Sequence, residues 1–451
     1  MKESINPYTG EKIFEFQELT SSELDEKVQG ANDTFSIWKK TTFQERSKLL
    51  KAAAKELREH TDEYAQIISQ EMGKPIVQSR AEVDKCAWVC EYYAENGESQ
   101  LASKTIETDA HTSYVSYEPL GVILAVMPWN YPFWQVFRFA APNLMAGNVG
   151  LLKHASNVMK SAQLIEQVFQ RSGFPKGCFQ NLIIGSDKIE ELLKNPVIKA
   201  ATLTGSKPAG SSVASIAGQE IKKTVLELGG NNALIVFDDA DLDAAVEICV
   251  KARYQNTGQS CIAGKRLLVH ESIADAFVEK FQKQVKALKS GDPMKEDTYI
   301  GPMARVDLAQ ELEKQLQDSI NMGAKILLGG KRDQAHFEPT IVTDISYDMP
   351  IFKEETFGPV IGITTFKNDA EAVEISNNSE FGLGVSIFTS SQKRVKELAP
   401  LFNEGAVFVN ELVKSDPRLP FGGVKISGYG RELSEDGIKE FVNKKTVYIK
   451  L

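Results

Sequence analysis

The sequence predicts an α/β protein with two lobes, each built on a parallel sheet. From about residue 112 onward, short apolar runs of strand length alternate with longer runs of helical periodicity. This alternation is typical of parallel sheets covered by helices on both faces. About ten candidate strands are more than one open sheet usually contains, and 451 residues are more than one domain usually contains. Two or three domains are therefore expected.

The elements can be placed in chain order. Residues from about 21 to 103 predict successive amphipathic helices, the first of them starting at Ser22 with acidic residues in its first turn. The candidate strands are Val122–Val126, Val149–Leu152, Leu182–Ile184, Ala200–Thr204, Val225–Leu228, Ala233–Phe237, Leu267–His270, Pro359–Thr365, Val385–Phe388 and Ala406–Val409. The helical runs between them include Ala155–Ser172, Asp241–Tyr254, Ile273–Leu288 and Leu308–Met322.

Two features indicate how the lobes are joined and completed. Paired glycines at Gly229-Gly230 lie between two candidate strands and predict a hinge. Residues 445–450 form a candidate terminal strand, which needs a partner edge. That edge belongs either to another subunit or to residues 113–117.

Composition narrows the class of protein. The formal net charge of -9 argues against a dominant role on nucleic acid or on an anionic membrane. We expect no membrane span and no signal peptide, because no apolar run of sufficient length occurs. Five scattered cysteines in a long chain are typical of a reducing cytosol, so a cytoplasmic location is expected. No metal site is expected, since Cys86 and Cys90 lack a matching pair of ligands.

The sharpest local signal for chemistry surrounds one cysteine. Cys261 lies between Gly258 and Gly264, where small residues let a substrate approach the backbone. A buried structural thiol is the alternative. A nucleophilic cysteine requires a base or a lowered pKa. None of the five histidines lies in a loop of catalytic character, so a carboxylate is the other option.

Glu227 is the candidate carboxylate. It ends an apolar strand and precedes Gly229-Gly230. A charge there is costly unless it is used or paired, and burial would raise its pKa and suit it to general-base work. The alternative is a strand-end glutamate that faces solvent.

Three further segments carry weaker signals. Gly205 and Gly210 follow a strand and precede a helix, an arrangement that directs helix N–H groups at a phosphate, although the usual G-x-G-x-x-G pattern is absent. Asn130 follows a strand and could donate its amide to an oxyanion. Glu355, before another strand, could hold ribose hydroxyls. The alternatives are an ordinary βα turn, a proline-bracketed turn and a solvated turn.

Together these segments resemble the aldehyde dehydrogenase superfamily nearly end to end, from Asn6 to Ile449. The motifs occur in the order that the family shows. They are Pro128-Trp129-Asn130, Lys153, Gly205-Ser206, Glu227-Leu228-Gly229-Gly230, Gly258-Gln259-Ser260-Cys261, Glu355-Thr356-Phe357-Gly358-Pro359 and Pro420-Phe421-Gly422-Gly423.

The resemblance implies a reaction and a set of site residues. An aldehyde is oxidised to a carboxylate through a thiohemiacetal and a thioester on Cys261, with a nicotinamide dinucleotide as hydride acceptor. Glu227 is the implied general base, and Asn130 with the backbone N–H of Cys261 is the implied oxyanion hole. The implied cofactor contacts are Trp129, Lys153, Ser156, Gly205, Ser206, Glu355 and Phe357.

The resemblance also implies an architecture. Residues 1–100 and 120–229 would form a dinucleotide-binding domain, and residues 230–423 a catalytic domain. Residues 101–119 and 439–451 would form a bridging element in a homodimer or homotetramer.

One departure from the family pattern concerns the cofactor. The family often has Lys-Pro-Ser/Ala-Glu where this chain has Lys153-His154-Ala155-Ser156. The acidic residue would repel a 2′-phosphate, and Ser156 removes that repulsion while Lys153 supplies positive charge. We therefore predict that NADP is preferred, with NAD as the second cofactor.

The substrate is predicted from three residues. Trp134, Arg138 and Ser415 occur in an order similar to that of bacterial succinate-semialdehyde dehydrogenases. Arg138 could clamp a distal carboxylate, or it could be a structural arginine. Succinate semialdehyde is the predicted substrate. Alternatives are a broad range of aldehydes, another semialdehyde such as glutarate semialdehyde, a cysteine hydrolase, and a non-catalytic scaffold.

Overall fold

The computed structural model describes residues 2–451, and the chain forms strands and helices in an order that positions one cleft between two sheets. The strands are β1 (Lys2–Ile5), β2 (Lys12–Phe16), β3 (Lys104–Thr105), β4 (Thr112–Pro119), β5 (Val122–Met127), β6 (Val149–His154), β7 (Phe179–Asn181), β8 (Ile198–Thr204), β9 (Lys223–Glu227), β10 (Asn232–Val236), β11 (Gly264–His270), β12 (Lys325–Leu328), β13 (Arg332–Asp333), β14 (His336–Phe337), β15 (Thr340–Thr343), β16 (Val360–Phe366), β17 (Val385–Phe388), β18 (Val407–Val409), β19 (Gly428–Tyr429) and β20 (Val442–Ile449). The helices are α1 (Ser21–Trp38), α2 (Phe43–Glu59), α3 (Thr61–Met72), α4 (Ile76–Gln100), α5 (Trp134–Ala146), α6 (Met159–Arg171), α7 (Ile189–Lys194), α8 (Lys207–Gln219), α9 (Leu242–Tyr254), α10 (Ala274–Lys286), α11 (Val306–Asn321), α12 (Pro350–Lys353), α13 (Asp369–Asn377), α14 (Gln392–Leu398) and α15 (Ser434–Ile438).

The first sheet has six strands in the order β19-β9-β8-β5-β6-β7, and only β19 runs antiparallel to its neighbour. Helices α1 to α8 pack with it into one large apolar core. The strand register brings Met127, Thr204 and Glu227 to the same edge of the sheet. Ligands of open parallel sheets bind beyond this carboxyl edge, so the edge is where a site is expected.

The second sheet has seven strands in the order β12-β15-β16-β11-β10-β17-β18, with β12 as its antiparallel edge. Apolar clusters on both faces join it to α9 and α10 on one side and to α13 and α14 on the other. The two parallel-dominated sheets confirm the predicted α/β class. The chain crosses from the first sheet to the second between Glu227 and Asn232, and it returns to the first at β19.

Close contact explains the two glycines in this crossing. A Cβ on Gly229 would overlap the Glu355 carboxylate, and one on Gly230 would lie 2.6 Å from the carbonyl oxygen of Cys261. The glycines therefore let the crossing segment touch two candidate site residues, because any side chain would push them apart.

Of the two partner edges expected for the terminal strand, the structure has the one within the chain. Strand β20 runs antiparallel to β4, with Tyr448 opposite Ser113 and Val447 opposite Tyr114. With β3 they form a three-stranded sheet in which β20 is an edge strand and most of its residues are exposed.

Some element boundaries differ from the sequence-based ones. The strand expected at Leu182–Ile184 lies at Phe179–Asn181, because those residues form the parallel ladder with β6, while Leu182 and Ile184 are buried just beyond it. Strands β12 and β15 were not predicted. They are only four residues long, which is too short for an alternating pattern to be recognised, and β12 is largely exposed. Across residues 2–451, no helix has the length and apolarity needed to cross a bilayer.

Candidate active site

Two cavities meet at Cys261. The first, of about 440 Å³, lies at the carboxyl edge of the first sheet and includes the side chains of Asn130 and Glu227. The second, of about 270 Å³, also includes Cys261 in its lining, together with Trp134. Among residues 2–451, only Cys261 and Gln135 line both cavities. A residue that lines two cavities can contact a ligand in each of them. A reaction between two bound molecules needs this arrangement.

An unusual backbone path presents this cysteine. Asn256 and Thr257 both have φ of +55°, and Gly258 continues with φ of +73°. Left-handed conformations are costly for residues other than glycine and concentrate at functional sites. The Asn256 side chain stabilises the path by donating to the carbonyl oxygens of Asn130 at 2.8 Å and Gln259 at 3.0 Å. The cysteine loop is thereby fixed to the loop that carries Asn130.

Cys261 is partly exposed, whereas the other four cysteines are buried. Burial around its sulfur raises the pKa of the thiol to about 11, although the charges of Arg138 and Lys265 act in the opposite direction. Lys265 donates to the carbonyl oxygens of Ser260 and Cys261, each at 2.8 Å. Cys261 lines both cavities and is partly exposed, which favours an accessible thiol over a structural thiol buried in the core.

Asn130 lies just after β5 and is 4% exposed. Its Nδ2 donates to the carbonyl oxygen of Gln259 at 3.2 Å, which leaves the second N–H of the amide for a ligand. The backbone N–H of Cys261 has no acceptor within residues 2–451. These two donors are available to a developing oxyanion.

Glu227 is buried at the end of β9, so the solvent-facing alternative is wrong. Neither carboxylate oxygen has a hydrogen-bond partner among the described residues. Burial, followed by the nearby charge of Glu432, raises the pKa of Glu227 well above its usual value. A Cβ on Gly422 would lie 2.6 Å from Oε1 of Glu227, so glycine makes room for the carboxylate. Glu227 can therefore change protonation within the site.

The first cavity has features that fit a dinucleotide. Ser206 is the N-cap of α8, and its hydroxyl makes no capping bond, so the hydroxyl and the helix N–H groups are free to bind phosphate. The rings of Trp129 and Phe357 form an edge-to-face pair 5.7 Å apart. Glu355 accepts from the backbone N–H of Gly230 at 3.0 Å and forms an ion pair with Lys265 at 3.0 Å. Gly205 lines the same cavity.

Two predicted cofactor residues lie outside this cavity lining. Lys153 is near the end of β6, opposite Val126, and Ser156 is exposed in the turn before α6. In residues 2–451 no carboxylate pairs with Lys153, and burial together with the charge of Lys2 lowers the pKa of its ammonium. A nearby anion would relieve this cost.

The predicted substrate residues share the second cavity. Indole Nε1 of Trp134 donates to Ser415 Oγ at 3.0 Å, and Lys85 Nζ donates to the same oxygen at 2.8 Å. The Lys85 ammonium also lies 4.1 Å from the centre of the Trp134 ring. Trp134 and Ser415 are thus brought together as predicted, with Lys85 as an additional member.

Arg138 lines this cavity, but its charge is already paired. Its guanidinium forms an ion pair with Glu432 and lies 4.5 Å from the centre of the Phe421 ring. Both charged side chains are buried. The clamp role of Arg138 stays a prediction, and the structure favours the structural alternative.

No histidine among the described residues lines either cavity. His154, the buried one, contacts the carbonyl oxygens of Met127 at 3.2 Å and Pro132 at 2.8 Å, and burial lowers its pKa to about 4. A cysteine hydrolase with a histidine base is therefore not supported. The carboxylate of Glu227 remains the candidate base.

Sequence reasoning missed three charged residues of the site. Lys265 follows Cys261 by four positions, and this closeness in sequence could have identified it as a site residue. Glu432 follows Gly430-Arg431 near the end of the chain, and Lys85 lies on an amphipathic helix. A lysine on such a helix normally indicates a solvated face, so no local signal distinguished Lys85.

Fold and site together are those of an α/β protein with a cavity suited to a dinucleotide beside a partly exposed cysteine. The pattern of the aldehyde dehydrogenase family matches residues 1–447. The chain belongs to this family.

Individual relatives are similar over nearly the whole chain. A probable succinate-semialdehyde dehydrogenase (NADP(+)) of Synechocystis sp. is 49% identical over 449 residues, covering 99% of each chain. A succinate-semialdehyde dehydrogenase (NADP(+)) of Mycobacterium tuberculosis is 49% identical over 452 residues, covering 99% of each chain. The crystal structure of succinic semialdehyde dehydrogenase from Streptococcus pyogenes in complex with NADP+ has a TM-score of 0.97 and 38% identity, covering 100% of each chain.

Proposed function

We propose that this chain oxidises succinate semialdehyde to succinate and uses NADP in preference to NAD. The observation that carries the proposal is the position of Cys261, which lines both the cavity beside the uncapped helix α8 and the cavity beside Ser415. The names of the two relatives at 49% identity support the substrate and the cofactor.

Each step of the proposed aldehyde oxidation is assigned to residues of this chain. The thiolate of Cys261 adds to the aldehyde carbon, and the Asn130 amide with the Cys261 backbone N–H stabilises the oxyanion. NADP would be held by Ser206, Glu355 and Lys153 and would accept the hydride from the former aldehyde carbon, which leaves a thioester on Cys261. Glu227 then takes a proton from a water molecule, whose oxygen attacks the thioester carbon. The bond from that carbon to sulfur breaks, which releases the acid and restores the thiolate of Cys261.

Two residues, Ser156 and Lys153, support a preference for NADP over NAD. Ser156 is a neutral, exposed residue at the position where an acidic side chain would repel a 2′-phosphate, and Lys153 has no carboxylate partner in the part of the chain that the structure describes. We therefore propose that the 2′-phosphate lies near these two residues.

We also propose the domain division that the resemblance implied. In this division residues 1–100 and 120–229 hold the dinucleotide, and residues 230–423 carry the nucleophile. Residues 101–119 and 439–451 bridge subunits of a homodimer or homotetramer. The exposed edge of β20 supports the bridging role, because an open strand edge is a ready site for pairing. A free thiol nucleophile suits a reducing compartment, which supports a cytoplasmic location.

A substrate panel with both cofactors tests the proposal. Formation of reduced cofactor is followed with succinate semialdehyde, glutarate semialdehyde, butanal and pentanal, each with NADP and with NAD. We expect kcat/KM to be highest for succinate semialdehyde with NADP. Equal values for butanal would favour the broad-specificity alternative, and a preference for the five-carbon semialdehyde would favour glutarate semialdehyde. No turnover of any aldehyde would favour a non-catalytic scaffold.

A further inference from the structure

The cysteine loop, residues 256–261, is held by a side chain from a distant helix. Gln78 lies in the first turn of α4 and is half-buried. Its Oε1 accepts from the backbone N–H of Asn256 at 2.7 Å, and its Nε2 donates to the carbonyl oxygen of Tyr299 at 3.1 Å. The oxygen faces a donor and the nitrogen faces an acceptor, so only one orientation of the amide satisfies both contacts.

The contact falls at the strained start of the cysteine loop. Asn256 and Thr257 adopt left-handed conformations one after the other, with ψ of 33° and 31°. Residues with a Cβ resist this conformation, so contacts from outside the loop must hold it. Thr257 has such contacts with Gly301, to which its hydroxyl donates at 3.2 Å and from whose N–H it accepts at 3.1 Å. For the backbone of Asn256, the outside contact is Gln78.

The same face of α4 also holds the start of α5. Glu82 lies one turn after Gln78, and its carboxylate accepts from the backbone N–H groups of Phe133 at 2.9 Å and Trp134 at 3.0 Å. These N–H groups begin α5, which has no side-chain bond from its own N-cap. Glu82 is buried and paired with Lys74, so its position is fixed. Residues four apart share a helix face, and α4 therefore contacts both the cysteine loop and α5.

The two donors available to an oxyanion belong to these two segments. The Asn130 amide lies just before α5, and the second donor is the backbone N–H of Cys261 at the end of the cysteine loop. Two donors stabilise one oxyanion only when both lie within hydrogen-bond distance of the same oxygen. Asn256 links the segments directly, because its side chain donates to the carbonyl oxygen of Asn130. Gln78 holds the backbone of that same residue.

We propose that Gln78 is a positioning residue, which sets the place of Cys261 relative to Asn130 by holding the backbone of Asn256. Gln78 also borders the second cavity, but its amide is engaged at both ends, which favours a supporting role. This inference rests on the proposed function only for aldehyde oxidation at Cys261, and it does not depend on which aldehyde is the substrate. Without the Gln78 oxygen, the Asn256 N–H loses its acceptor and the cysteine loop should become more mobile.

The first test measures this mobility without any reaction. Gln78→Met keeps the length of the side chain and removes both hydrogen bonds, and Gln66→Met, at an exposed position of α3, is the matched control. Hydrogen–deuterium exchange is followed by mass spectrometry in peptides that cover residues 255–262. For Gln78→Met we expect exchange there to be roughly 10-fold faster or more, while β11 exchanges as in the wild type. The control should match the wild type in both segments.

The second test compares a reaction that forms an oxyanion with one that does not. Rapid mixing with butanal and NADP gives the rate of the first turnover, which we expect to fall about 10- to 50-fold in Gln78→Met. Alkylation of Cys261 by iodoacetamide forms no oxyanion, so its rate should change less than about threefold. Turnover is normalised to the number of Cys261 thiols that can be alkylated, so misfolded enzyme does not count as a loss.

A double variant tests the route through Asn256. If Gln78 acts through this residue, Gln78→Met/Asn256→Ala should have a first turnover within about twofold of the slower single variant. Effects that multiply would show that the two side chains act independently, and they would overturn the proposed route.

The outcomes separate this inference from the proposed function. If the wild type oxidises butanal and Gln78→Met keeps its exchange or its first turnover, the inference is overturned while the function stands. A parallel loss of turnover and alkylation also overturns it, because the thiol itself has then become less accessible. If the wild type reduces no cofactor with any aldehyde, the function fails and the exchange decides: faster exchange confined to the cysteine loop of Gln78→Met supports the inference, and equal exchange rejects it.

Discussion

The ammonium of Lys265 lies 3.0 Å from the Glu355 carboxylate and 2.8 Å from the carbonyl oxygen of Cys261. One buried side chain thus connects the backbone of Cys261 to Glu355, and both residues line the first cavity. Because Lys265 is fully buried, its charge must be compensated locally, and these partners do so. The lysine thereby links the backbone of Cys261 to the carboxylate of Glu355.

Replacing this lysine should therefore affect cofactor binding and catalysis together. Lys265→Met leaves two carbonyl oxygens and one carboxylate without their donor, so we expect stability to fall by about 2–4 kcal/mol. We also expect KM for NADP to rise and kcat to fall, each roughly several-fold to tenfold. The control Lys280→Met removes an exposed ion pair with Asp243 and should change neither quantity measurably. Unchanged KM and kcat in Lys265→Met would show that the connection is only structural.

The raised pKa of Cys261 predicts a strong pH dependence of alkylation. The thiolate is the reacting form, and a thiol with a pKa of about 11 is mostly protonated at neutral pH. In the enzyme without added cofactor, the rate of modification by iodoacetamide should rise about tenfold per pH unit from pH ~7 to pH ~10. Mass spectrometry locates the label, and the four buried cysteines should remain unmodified under native conditions. A rate that levels off below pH ~9 would indicate an activated thiolate instead.

Glu227 should act after hydride transfer. Glu227→Gln removes the base while keeping shape and burial, so hydrolysis of the thioester should slow by roughly 100-fold or more. Rapid mixing should then show a burst of reduced NADP of about one equivalent per active site, followed by slow turnover. Because the pKa of Glu227 is raised, its ionised fraction in the wild type increases with pH, and so should the hydrolysis rate. Glu311→Gln, an exposed residue of the same cavity lining, serves as the control.

The buried ion pair of Arg138 and Glu432 can be tested through stability. Arg138→Met leaves Glu432 buried without its partner, which should cost about 3–5 kcal/mol of unfolding free energy. The double variant Arg138→Met/Glu432→Gln should recover part of that loss, and a double-mutant cycle by chemical denaturation measures the coupling. If Arg138→Met instead keeps its stability and raises KM for succinate semialdehyde, the clamp role predicted from the sequence is correct.

The sequence was sufficient for the features that local pattern or ordered motifs determine. The alternation of strands and helices predicted two parallel sheets, and the isolated cysteine between glycines predicted an accessible thiol. Pairings that join distant segments could not be predicted. Arg138 and Glu432 are 294 positions apart in the chain, so nothing in the sequence near Arg138 shows that its charge is already neutralised. Lys85 lies far in sequence from Ser415, and only the fold brings them together.

The last prediction concerns cofactor choice. Ser156→Glu places a carboxylate beside the exposed turn where we propose the 2′-phosphate binds, and like charges there should repel. We expect kcat/KM for NADP to fall roughly 10- to 100-fold, while NAD, which lacks the phosphate, is affected far less. The matched variant Ser156→Gln adds similar bulk without charge, so it separates repulsion from crowding. Steady-state kinetics with both cofactors, at low and high salt, supply the measurement, because screening should weaken the effect of the charged variant only. Equal losses with both cofactors, or equal losses in both variants, would contradict a phosphate site at this turn.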